Sequence, residues 1–240
     1  LVLEVTKMIS NEILLILSVF IIYGLVLVWF YLLGEKGLIC FTVFTVITAN
    51  IEVLLVIKAF SLEQTLGNVL FGASFLATDI LSEFYGKKSS KKAVIAGILT
   101  SVSFVILSQS WLLYDVANGM GEPFKMVFSN TPRIMISSLV VYAISQFFDV
   151  WIYHKWWELT EKISGDKRKF LWVRNNFSTL TSQLINSILF TFFAFYGIYD
   201  FNTIISIFIA SYIIFIITSI LDTPFIYIAR YLYENKMKNK

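Results

Sequence analysis

Glu52, Asp79, Asp149, Gln183, Asn186 and Asp222 interrupt stretches that are otherwise apolar. A carboxylate accepts from N–H donors, a side-chain amide donates and accepts together, and an aromatic face stacks on a flat ring. Such a set suits a planar, nitrogen-rich heterocycle with amide-like edges. It does not suit an inorganic anion, because lysines and arginines are nearly absent from the same stretches. Nor does it suit a metal: His154 is the only histidine, Cys40 the only cysteine, and no ligand cluster forms. No cofactor is implied. With a lone histidine and no paired nucleophile there is little on which to build catalysis, so the chain reads as a non-enzyme. A membrane hydrolase acting on a nucleoside is the competing class, with Glu52, Asp79 and Asp149 as its only water-activating candidates.

Helical spacing gathers these groups into faces, since residues at i, i+3, i+4 and i+7 share one side. Asn176, Thr179, Gln183 and Asn186 make one polar stripe, and Tyr142, Gln146, Asp149 and Tyr153 make another. Thr45, Thr48 and Glu52 line up, and Asp79 and Glu83 lie one turn apart. Amides and hydroxyls at membrane depth also serve as bonds between helices, so the first stripe reads equally as helix-to-helix glue. Glue accounts poorly for a buried acid. Asp79 then calls for a buried cationic partner or a ligand, Glu83 is expected to reach the inner interface, His154 to lie at that interface, and Arg133 to anchor at the outer edge.

Positioning these faces requires long helices. The chain has 240 residues, 58% hydrophobic and 15% charged, against about 45–50% and about 25% in soluble domains. Alternating ten-residue segments of a barrel are absent. Apolar runs of about 20 residues predict an all-α polytopic bundle with helices over 12–33, 38–58, 66–85, 91–113, 133–156, 174–197 and 203–233. Asp115–Pro132 is expected to be a loop. The first segment lacks a basic leader and a small-x-small cleavage site, so it reads as a helix and not a signal peptide. Lys7, Lys58, Lys125 and Arg133 fall on one side, and the other fifteen of the 19 lysines and arginines on the other. The positive-inside rule then predicts an outer N-terminus and a cytoplasmic C-terminus in a cell membrane.

Four segments resemble the queuosine precursor transporter family of the vitamin uptake transporter group. They are Phe75–Gly86 (FLATDILSEFYG), Ser145–Val150 (SQFFDV), Trp172–Phe190 (WVRNNFSTLTSQLINSILF) and Ser211–Tyr227 (SYIIFIITSILDTPFIY), and they recur in the family's order. With Asn50–Ile51 the resemblance covers the second to seventh spans. It implies import of 7-deazaguanine bases, such as queuine or its aminomethyl and cyano precursors. It also implies a six-helix core (38–240) like the substrate-binding subunits of energy-coupling-factor importers, preceded by an additional helix (1–37). Its implied partners are a small-molecule substrate and membrane lipid, with no nucleic acid. A homodimer or a separate ATPase module stays open, and Gly97–Ser101 offers a small-xxx-small contact for the latter.

Carried over by position, Asp79, Gln146, Asp149, Asn176, Ser178, Gln183 and Tyr212 lie in matching motifs, and Asn50, Glu52, Thr179 and Asn186 complete the candidate binding set. Glu52 or Asp79 would accept from the ring N–H and exocyclic amine, Asn176 or Gln183 would reach the O6 edge, and Tyr212 would stack. The chain departs from the family's pattern. Lysines expected after Asn50–Ile51 and after Tyr212 are missing, an expected aspartate is Asn186, and Glu52 is added. A more negative interior favours a cationic aminomethyl base or the larger queuine. A buried Asp79, Glu52 or Asp149 could also carry a proton.

Overall fold

The computed structural model describes residues 10–52, 55–60, 62–117, 119–129 and 132–238. Lys7 and the Arg133 side chain lie outside the described residues. The chain is an all-α bundle whose long helices are apolar outside and bury polar as well as apolar side chains inside, the pattern expected when lipid rather than water covers the surface. Ile21, Leu32, Leu99, Ile106 and Ile220 are exposed, whereas Ser74, Thr78, Asp79, Ser145 and Gln146 are buried.

The first helical run, α1 (Asn11–Glu52), folds back on itself at Gly34. Gly34 takes φ 61°, a left-handed conformation that costs glycine nothing and other residues much. The Trp29 ring lies 5.8 Å from Phe41 and 6.2 Å from Phe44. On a straight helix those rings would sit roughly 18–22 Å apart. The two arms are therefore antiparallel and supply two spans. Leu15, Val19, Tyr23, Val26 and Phe30 of the first arm join one hydrophobic cluster with Leu76, Ile80 and Leu81.

The second arm ends at Glu52, earlier than the predicted 38–58. Beyond it, β1 (Val56–Ala59) and β2 (Leu62–Thr65) form an antiparallel hairpin with Lys58 opposite Glu63. The β-branched Val56 and Ile57 continue the apolar run, but the polar Lys58, Glu63 and Gln64 that follow satisfy their backbone across two strands at the end of the bundle. Asn11 Nδ2 donates to Lys58 O (3.0 Å) and the Phe60 N–H donates to Glu12 Oε1 (3.1 Å), so the hairpin and the start of α1 share one face of the protein.

Next come α2 (Gly67–Tyr85), α3 (Lys87–Trp111), α4 (Gly121–Phe128), α5 (Pro132–Ser164), α6 (Leu171–Phe195) and α7 (Phe201–Lys238). Five described helices, α1, α3, α5, α6 and α7, are long and apolar enough to cross a membrane, and α2 is packed among them with fourteen of its residues buried. The short α4 corrects the predicted Asp115–Pro132 loop. Phe124 and Phe128 pack on Trp111, with centroids 5.9 and 5.5 Å away, and these aromatic contacts hold a helix too short to span anything. At Gly97 a Cβ would collide with the Tyr142 hydroxyl, so only glycine lets α3 approach α5 this closely. Asp200 caps α7, accepting from Thr203 N–H (3.1 Å) and Thr203 Oγ1 (2.6 Å). Those bonds hold its carboxyl below the usual range.

Candidate functional site

Packing of α6 antiparallel to both α2 and α5 arranges the interior in three polar layers. On α2 they are Ser74, then Asp79, then Glu83, roughly 7 Å and 13 Å along the axis at 1.5 Å per residue. The parallel series is Tyr142, Asp149 and Tyr153 on α5, and, in reverse, Asn186, Thr179 and Arg174 on α6.

The first layer is a cleft at the hairpin end with a cavity volume of about 110 Å³, below the range of about 300–1,000 Å³ for small-molecule sites, so a ligand must widen it on entry. Its walls come from α1, β2, α2, α3, α5, α6 and α7, and none of the described residues that line it is charged. Aromatic faces are supplied by Phe71, whose ring lies 5.9 Å from Tyr142 and 6.0 Å from Phe215. Polar groups come from Asn50, Asn68, Ser74, Tyr142 and Asn186. Asn50 Nδ2 donates to Val46 O (2.7 Å), which leaves its carbonyl oxygen for a ligand. Asn186 Oδ1 accepts from Ser145 Oγ (3.4 Å), which leaves its amide hydrogens. The Tyr142 hydroxyl is buried and has no partner among the described residues. A buried orphan hydroxyl is uncommon and invites a ligand. Tyr142→Phe is expected to weaken ligand binding several-fold while leaving the melting temperature unchanged or slightly raised, because no protein hydrogen bond is lost; paired calorimetric titration and thermal unfolding check it.

Gln146 forms the floor. Its Nε2 donates to Ser74 Oγ (2.7 Å) and its Oε1 accepts from Thr78 Oγ1 (3.3 Å). The second layer holds three fully buried carboxyls, Asp79, Asp149 and Asp222. Each takes one donor from a single face of α6: Thr179 Oγ1 to Asp79 Oδ2 (3.2 Å), Ser182 Oγ to Asp149 Oδ1 (2.9 Å), and Asn175 Nδ2 to Asp222 Oδ1 (2.6 Å). The buried cationic partner considered for Asp79 is absent from its contacts.

The third layer closes the far end. Glu83 accepts from Arg174 Nε (2.9 Å) and Nη2 (2.6 Å), from Arg230 Nη2 (2.6 Å) and from Tyr153 Oη (2.8 Å). Arg174 lies fully buried over the Trp157 ring, 4.5 Å from its centroid. Glu83 is thus a hub whose side chain is 6% exposed and which joins two guanidiniums and a phenol. Outside it, Arg168 pairs with Glu234, and Lys236 Nζ donates to Tyr31 O (2.9 Å).

Of the sequence-derived candidates, Asn50 and Asn186 line the cleft. Gln146 underlies it, and Asp79, Asp149 and Thr179 form the acidic layer. Gln183 is buried with both amide atoms unpartnered among the described residues. Three lie elsewhere. Asn176 Nδ2 donates to Thr223 Oγ1 (2.7 Å) and Trp172 O (2.9 Å), tying α6 to α7. Tyr212 stacks on Phe208 and donates to Leu180 O (3.4 Å). Glu52 is half-buried at the end of α1 and is not part of the cleft wall. Sequence reasoning missed the cleft role of Phe71, Asn68, Ser74 and Phe215. Their only signal was their place at one end of consecutive spans.

Residues 65–229 match the model of the family described as "Putative vitamin uptake transporter". A Bacillus subtilis (strain 168) protein named "Probable queuosine precursor transporter" is 34% identical over 218 residues, 90% of this chain and 93% of that protein. No solved structure matches. The matched region contains all of α2 to α6, and so carries most of the cleft, the whole α2–α5–α6 stack of polar layers and the Glu83, Tyr153 and Arg174 members of the hub: this chain is a multi-pass membrane protein that belongs to the vitamin uptake transporter family.

Proposed function

We propose that the protein imports a 7-deazaguanine base, a precursor of queuosine, across the cell membrane. The observation that carries this reading is the uncharged cleft with an aromatic wall and converging amides. A flat ring with alternating N–H and C=O edges finds a stacking face and both kinds of hydrogen-bond partner there. The name of the Bacillus subtilis relative supports the substrate class. The charge distribution of the chain supports a reading in which the hairpin and cleft face outside and the Glu83 hub faces inside. A base would enter the cleft while the hub is closed and leave when the hub opens.

Three aspartates below the cleft floor draw a cationic substituent, so queuine and the aminomethyl base should bind more tightly than the neutral cyano base. The test is uptake of labelled queuine by cells expressing the protein, with unlabelled bases as competitors. Competition in the order queuine and aminomethyl base ahead of cyano base ahead of guanine is expected. Uptake unaffected by any deazaguanine would discard the substrate and leave the family intact.

A further inference from the structure

The middle layer has a feature that substrate binding in the cleft does not use. Asp79 Oδ1, Asp149 Oδ2 and Asp222 Oδ2 are all buried without a partner among the described residues, although the other oxygen of each acid is bonded by α6. Asp79 and Asp149 face each other in this layer, their bonded oxygens held by Thr179 and Ser182 on one face of α6. Buried carboxyls without a countercharge favour holding a proton, and a proton on one of these oxygens turns an unpartnered acceptor into a donor.

Among the described residues, the groups facing this layer leave it no cation. From α1, Tyr23 lies beside Asp222 but donates its hydroxyl to Thr218 O (3.2 Å). From α3, Ser90 donates to Thr78 O (3.1 Å). From α5, Tyr153 donates to Glu83, and both nearby guanidiniums, Arg174 and Arg230, are also bonded to Glu83. No group of three or more His, Cys, Asp or Glu among the described residues is arranged to hold a metal ion. Gln183, one turn beyond Thr179 on α6, is buried with its whole amide unpartnered and adds both a donor and an acceptor on the cleft side.

We infer that Asp79, Asp149 and Asp222 form a proton-binding layer between the cleft and the inner hub, and that a proton gradient drives transport through it. The layer crosses between the two sides only when protonated, because three ionised carboxylates at membrane depth have no countercharge. The coupling to transport rests on the import reading above; the held proton does not.

Two measurements separate them. Infrared spectroscopy of the purified protein at neutral pH should show the C=O stretch of a buried protonated carboxyl, diminished in Asp79→Asn or Asp149→Asn. Its absence from the unmutated protein overturns the proposal without any variant having to fold. In proteoliposomes, labelled queuine uptake should rise several-fold with an inward proton gradient, collapse with an uncoupler, and lose its dependence on the gradient in either Asn variant. Queuine uptake indifferent to the proton gradient, or driven by sodium instead, overturns it. A carboxyl band without any queuine uptake retains the proton site and removes the substrate assignment.

Discussion

Glu83→Ala is expected to destabilise the protein by about 3–5 kcal/mol, the cost of removing one partner from a buried ion pair. The loss is large because Arg174 has no water to turn to: its side chain is 0% exposed and Glu83 accepts from it twice. Arg230 and Tyr153 lose their acceptor at the same time. Arg174 keeps the Lys169 and Lys167 carbonyls at 2.9 and 3.2 Å, but these neutral acceptors do not replace a countercharge. Glu83→Gln keeps the shape and one acceptor, so it should lose less. The exposed pair Lys125–Glu122 gives the contrast: Lys125→Ala should shift stability by less than about 1 kcal/mol. Equilibrium unfolding in mixed detergent ranks the three. If Glu83→Ala unfolds at the same point as the parent protein, the hub does not tie α2, α5, α6 and α7 together.

Asn186→Ala is expected to weaken binding of the substrate base by about 1–3 kcal/mol, roughly 5- to 150-fold in Kd. Asn186 reaches the cleft from α6 with its Oδ1 already bonded to Ser145, so its amide hydrogens are what it offers a ligand. With alanine, a ring carbonyl placed there would be desolvated and unpaired. Stability should change little by comparison, since the Ser145 hydroxyl also donates to Val141 O (2.7 Å) and keeps that bond. Binding by calorimetric titration and thermal unfolding, read together, distinguish a lost ligand contact from a damaged fold.

The all-α class and the inward faces were legible in the sequence because apolar runs and helical periodicity are local properties. The fifth-span stripe of Tyr142, Gln146, Asp149 and Tyr153 is one buried face. The sixth-span stripe shows where periodicity stops. Asn175 and Asn176 fit the spacing to Thr179 equally well, at four and three residues. The fold buries Asn175 against Asp222 and sends Asn176 to Thr223. Only the approach of α7 decides between them. The Glu83 hub was illegible for the same reason: its arginines are 91 and 147 residues away in sequence. The hairpin was hidden because the apolar run continues past Glu52 into Val56 and Ile57, and hydropathy alone cannot tell a helix end from a strand start. Phe71, Asn68 and Ser74 bear on the cleft through depth in the membrane, which no spacing rule encodes.

The most direct test of the cleft as the binding site is calorimetric titration of the purified protein with queuine, alone and with Tyr142→Phe and Asn186→Ala. The account predicts saturable binding at one site, weakened in both variants while both stay folded. Absence of heat from queuine and from the aminomethyl and cyano bases, or binding that neither substitution weakens, would contradict it.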